Sequence, residues 1–120
     1  MKYMIMLFGS DYSVLQNKPP EWFKEMIQFM NKVNEDLANA GELVAAEGLA
    51  DGSQAKTISI KNGVPAVTDG PYAESKESLA GYWVVDVESE ARVVEIATRV
   101  VTFTREPIEV RQVMDAPPEM

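Results

Sequence analysis

Five side chains in this sequence have chemistry to offer: Glu47 beside Gly48, Asp69 and Tyr72 in Asp69-Gly70-Pro71-Tyr72, Lys76 in Glu74-Ser75-Lys76-Glu77, and Arg111 near the C-terminus. Asp69 follows an apolar run and precedes Gly70-Pro71, so its carboxylate can close the turn by accepting backbone N–H bonds. The alternative is chemical: in a cleft beneath a neighbouring hairpin, Asp69 is the leading candidate for catalytic acid–base work or for orienting a ligand. Glu47 is a candidate ligand-binding neighbour, since two carboxylates brought together can share a proton or hold a cation. The competing reading is an ion pair of Glu47 with Lys76 or Arg111. Lys76 suits an anionic substrate or a Schiff base if buried, and a solvated loop otherwise. Tyr72 and Trp83 offer aromatic walls with hydrogen-bond donors, as small-molecule pockets use, or else they belong to the core.

Several chemistries are disfavoured by composition. With no histidine and no cysteine, the serines have no imidazole base, and zinc has none of its usual nitrogen or sulfur ligands. No EF-hand spacing, dinucleotide fingerprint or P-loop occurs, so no metal and no cofactor is expected. The 19 acidic against 11 basic residues give a net charge of −8, which repels a phosphate backbone, and the Lys and Arg form no stripe. Nucleic acid is therefore not an expected partner. No apolar run reaches the roughly 20 residues of a membrane-spanning helix. A cytoplasmic protein is expected.

The chain of 120 residues, 46% hydrophobic and 25% charged, suits one domain, here residues 1–114 with a loose tail at 115–120. Tyr3 to Phe8 is apolar on both alternating faces and predicts a strand covered twice. Pro19-Pro20-Glu21 opens a helix running to about Ala40, with Phe23, Met26, Ile27, Met30, Val33 and Leu37 as its core-facing stripe and Gly41 as a left-handed stop. Leu43 to Ala46 reads as a short strand. Asn62-Gly63 separates Lys56–Ile60 from Val64–Val67 as a two-residue hairpin turn, and Pro65 assigns the second arm to an edge. Leu79 to Val87 predicts a second strand apolar on both faces. Ser89 caps a second helix whose expected buried stripe is Val93, Val94, Ala97, Val100 and Val101, and Pro107 blocks its continuation. Ile108 to Val113 alternates as the last strand. The methionines read as core filling.

This order is a split βαβ pattern with a hairpin inserted between its halves. It predicts an α+β, ferredoxin-like antiparallel sheet with both helices on one face. The other face then carries large apolar residues of two strands, and two copies stacking these faces into a dimeric α+β barrel would bury them. A homodimer is the expected assembly.

Glu47-Gly48-Leu49, Asp69-Gly70-Pro71-Tyr72-Ala73-Glu74-Ser75-Lys76-Glu77, Gly81-Tyr82-Trp83 and Val110-Arg111-Gln112-Val113 together resemble the YCII-related family, specifically its DGPF branch, over nearly the whole chain. Tyr72 stands where that branch has phenylalanine, which keeps the ring and adds a phenolic O–H. The resemblance implies a ferredoxin-like dimer. For function it implies two classes: acid–base work by an aspartate paired with histidine, or association with an extracytoplasmic-function sigma factor. The first lacks its histidine here. Two readings follow. One is a small-molecule site around Asp69 with Glu47, Tyr72, Lys76 and Arg111; the other is a non-enzymatic regulatory or interaction module with a protein partner such as a sigma factor.

Overall fold

The computed structural model describes residues 1–9, 18–70 and 78–115. Its strands are β1 (Lys2–Gly9), β2 (Leu43–Gly48), β3 (Lys56–Lys61), β4 (Val64–Asp69), β5 (Ser78–Asp86) and β6 (Ile108–Gln112), and its helices are α1 (Pro20–Asn39) and α2 (Glu90–Thr104). A four-stranded antiparallel sheet has the order β2-β5-β1-β6, and β3 and β4 form a separate two-stranded sheet. The two strands that read as apolar on both faces, β1 and β5, hold the centre. The arrangement is a mixed α+β fold consistent with a ferredoxin-like topology, in which the inserted hairpin leaves the main sheet after β2 and returns as β5.

Local chemistry explains the ends of the helices. Pro20 takes the first position of α1, where its missing N–H is no loss. At the other end Gly41 adopts φ 73°, and the Gly41 and Glu42 N–H groups bond the Ala38 and Leu37 carbonyls, the paired bonds of a Schellman stop. Ser89 accepts the Arg92 N–H at 3.2 Å to start α2. That helix ends earlier than Pro107 requires, at Arg105, which takes the left-handed conformation at φ 62°.

Register sorts the sheet into two faces. Tyr3, Ile5, Leu7, Trp83, Val85, Ile108 and Val110 share one face with Val33 and Leu37 of α1 and Val93, Ile96 and Val100 of α2, so both helices cover that side. The predicted stripes need correcting. On α2, Val94 is exposed and Ile96 is buried in its place, because the helix faces the sheet along Val93, Ile96 and Val100. On α1 only Val33 and Leu37 are buried; Ile27 is exposed, and Phe23, Met26 and Met30 are half-covered. Phe29 and Phe103 stack at 4.3 Å between the helices, and Asp36 receives both Lys32 and Arg99. The opposite sheet face carries Met4, Met6, Tyr82 and Val84, all half-buried. Met4 and Met6 therefore stand outside the helix-covered core that the composition suggested for the methionines.

The hairpin behaves as a unit apart. Asn62 and Gly63 both have positive φ, 52° and 81°, the signature of a type I′ turn. Ile58 pairs with Val67 and Ile60 with Pro65 on one face, yet Ile58, Ile60 and Val67 are 66%, 67% and 65% exposed. This is the largest cluster of bare aliphatic side chains among the described residues.

Candidate functional site

The helix-covered face of the sheet is filled in rows, and the filling fails in one of them. Tyr3 and Val85 lie side by side with Leu43, and Ile5 and Trp83 lie in register with Ala46. The next row runs from Leu7 through Gly81 to Gly48, so its side chains fall away to bare backbone at the β5 and β2 positions. Above that floor α1 presents Phe23, Met26, Met30 and Asn34. The result is an open cavity of about 450 Å³ between α1 and the sheet, walled also by Trp83, Ala46, Ala80 and Leu49. Its position explains why the N-terminal half of the α1 stripe is only half-covered.

The two glycines make the floor for different reasons. A Cβ on Gly81 would lie 3.0 Å from the Glu47 carbonyl oxygen, so β2 can approach β5 only because Gly81 has none. A Cβ on Gly48 would meet nothing within 4 Å. Gly48 thus leaves space open without being required by its neighbours.

One polar side chain from the helix enters the walls. Trp83 is 4% exposed and donates its indole N–H to Asn34 Oδ1 at 2.6 Å. An indole N–H only donates, so the Asn34 amide must present its oxygen to it and turn its NH₂ group elsewhere. Among the described residues that NH₂ group meets no acceptor. Glu47 borders the cavity, but its side chain shares the opposite sheet face with Tyr82, its register partner. Chemically the cavity can hold an apolar molecule and offer it a donor. No group of three or more acidic residues that could hold a metal occurs among the described residues.

Of the described residues singled out by sequence, Glu47 borders this cavity, and Asp69 and Arg111 do not. Asp69 ends β4 directly opposite Lys56, accepts a hydrogen bond from the Lys56 ammonium, and is 84% exposed. Its carboxylate meets a side chain across the hairpin; the backbone N–H groups of the turn it was expected to close lie beyond Gly70, outside the described residues. Gly70 beyond it takes φ 98° and bonds Ala55 and Thr57, closing the base of the hairpin. Arg111 pairs with Glu109 at 2.9 Å on β6 and not with Glu47, which sits on the other edge strand. Three strand spacings of about 4.8 Å separate those edges, roughly 14 Å. Tyr72 and Lys76 lie outside the described residues.

The most buried ion pair among the described residues is elsewhere. Arg92 donates to both Glu42 oxygens, at 2.9 and 2.8 Å, where β2 meets the start of α2. These hydrogen bonds hold the Glu42 carboxyl below its ordinary value, against a smaller opposing effect of burial, and raise Arg92 in turn.

Sequence reasoning missed Asn34 and the glycine floor. Asn34 stands four residues after Met30 and three before Leu37, a polar side chain set within the apolar stripe. Gly81 interrupts a strand pattern, which marks a close backbone approach. Either observation was available before the structure.

A family model described as the YCII-related domain matches residues 1–117. Among curated proteins, an uncharacterized protein of Rhizobium meliloti is 29% identical over 89 residues, covering 74% of this chain and 71% of that protein.

Proposed function

The chain belongs to the YCII-related family, and from that premise we propose that it binds a small molecule in the cavity between α1 and the sheet. The observation that carries the reading is the Leu7–Gly81–Gly48 row, a floor lowered to backbone beneath half-covered Phe23, Met26 and Met30. A cavity of about 450 Å³ is within the usual range for ligand sites and is lined as they are, by apolar groups with few polar ones. Asp69 enters this reading as an ion-paired hairpin residue and not as the proton carrier. The test is titration of the protein with aromatic and aliphatic compounds, following Trp83 fluorescence with Trp22 replaced by phenylalanine. Saturable one-to-one quenching is expected; an unresponsive Trp83 across the whole panel would contradict the proposal.

Within the family we assign the chain to the DGPF branch on Asp69-Gly70-Pro71-Tyr72. We also propose a homodimer that closes a barrel through the Met4, Met6, Tyr82 and Val84 face. Sedimentation equilibrium at micromolar concentration is expected to give twice the chain mass, and Met6→Lys to give the single mass.

The exposed Ile58, Ile60 and Val67 favour a second reading, an interaction module in which the hairpin docks a protein partner. An extracytoplasmic-function sigma factor is the partner the DGPF resemblance suggests. Its binding to the immobilised chain, lost on Ile58→Lys with Ile60→Lys, would support this reading, and equal binding by the variant would remove it.

A further inference from the structure

We infer that the ligand of this cavity is an uncharged, mainly apolar molecule bearing a carbonyl-type acceptor oxygen that the Asn34 side-chain NH₂ group binds. The inference rests on the cavity being the binding site and adds the chemical class. It follows from two observations on Asn34 and one on charge. Trp83 fixes the Asn34 amide by occupying its oxygen at 2.6 Å, so what Asn34 offers is a pair of donors. Those donors meet no acceptor among the described residues and are not sealed from water, since Asn34 is half-buried at the wall of an open cavity. A ligand that displaces that water leaves them unpaired unless it brings an acceptor, which is unfavourable. A ligand oxygen takes the place of that water.

Charge sets the second half of the class. Among the described residues around the cavity there is no Lys or Arg, Glu47 borders it, and the chain carries a net charge of −8. A carboxylate or phosphate would meet no counter-charge among the described residues and would enter against the net charge of the whole protein. Among the described residues a cation finds no aimed carboxylate either, because the Glu47 side chain shares the far face with Tyr82. A neutral ketone, ester, amide or quinone oxygen satisfies Asn34 without burying a charge.

Two probes of nearly equal shape test this, 2-acetylnaphthalene, which carries the acceptor, and 2-ethylnaphthalene, which does not. The quantity measured is the ratio of their association constants in wild type and in Asn34→Asp. Aspartate keeps an oxygen for Trp83 but replaces the donors by a second acceptor. One hydrogen bond in a mostly apolar site corresponds to a factor of about ten, so the ratio is expected to fall about tenfold in the variant. Asn34→Leu, which removes the donors without adding charge, is expected to lower it similarly. A ratio unchanged in both variants would overturn the inference while leaving the cavity as a binding site. Failure of both probes to bind wild type would overturn the inference and the binding site together.

Discussion

Replacing Gly48 by leucine is expected to close the cavity and make the protein slightly more stable. The Cβ position at Gly48 has no atom within 4 Å, and Gly48 has no positive φ that a side chain would strain, so nothing has to move. Full burial of a leucine contributes roughly 1.5–3 kcal/mol, and about half of that, ~1 kcal/mol, is expected on an edge strand facing an open cavity. Removing glycine from the unfolded chain adds ~0.5 kcal/mol, which the ordering of the leucine rotamer offsets by a similar amount. The net is about 1 kcal/mol, or a rise of roughly 4 °C in Tm for a domain of this size. Thermal unfolding by circular dichroism measures that rise, and titration with 2-acetylnaphthalene is expected to show binding weakened at least tenfold. A Tm lowered by several degrees would mean that the floor is not open; unchanged affinity in a folded, stabilised variant would mean that the ligand sits elsewhere.

Val33→Ala, at a site fully buried between α1 and the sheet, is expected to lower stability by about 2 kcal/mol in urea titration with an unchanged slope. Glu42 gives a pH signature. Its folded pKa lies below its ordinary value near 4.5, so its pairing with Arg92 stabilises the fold above that pH, and this contribution is lost as pH falls through the lowered folded value. Glu42→Gln is accordingly expected to be less stable than wild type at pH 7 and to converge on it in acid, which denaturation at several pH values checks. Gly63→Ala, at φ 81°, is expected to loosen the hairpin while leaving the main unfolding transition in place; hydrogen exchange should accelerate at Lys56–Asp69 and not in β1 or β5.

The order of elements was legible because each carries its own local signal. Asn62-Gly63 sets a hairpin, Gly41 ends α1, Ser89 caps α2, and the two-sided apolar pattern of β1 and β5 marks the centre of the sheet. Burial within a helix was less legible, as Ile27 and Val94 show: both fit a three-and-four spacing, yet the helix turns a neighbouring residue inward. The sequence pointed to a site through residue types that do chemistry, chiefly Asp69 and Glu47. The cavity arises instead from side chains that are missing, at Gly48 and Gly81, and from the register that aligns them with Leu7. Such alignment joins residues 33 to 74 positions apart, a relation no local pattern reports. Asn34 was legible as a polar break in an apolar stripe, but its meaning depends on Trp83, 49 positions later.

The most direct test of the cavity as the binding site is an amide and indole chemical-shift map of the protein with saturating 2-acetylnaphthalene. The largest shifts are expected at the Trp83 indole N–H, the Asn34 side chain, Gly81 and Gly48, with the Ile58 to Val67 hairpin unchanged. Shifts confined to the hairpin or to the Met4, Met6 and Tyr82 face, with Trp83 and Asn34 silent, would contradict it.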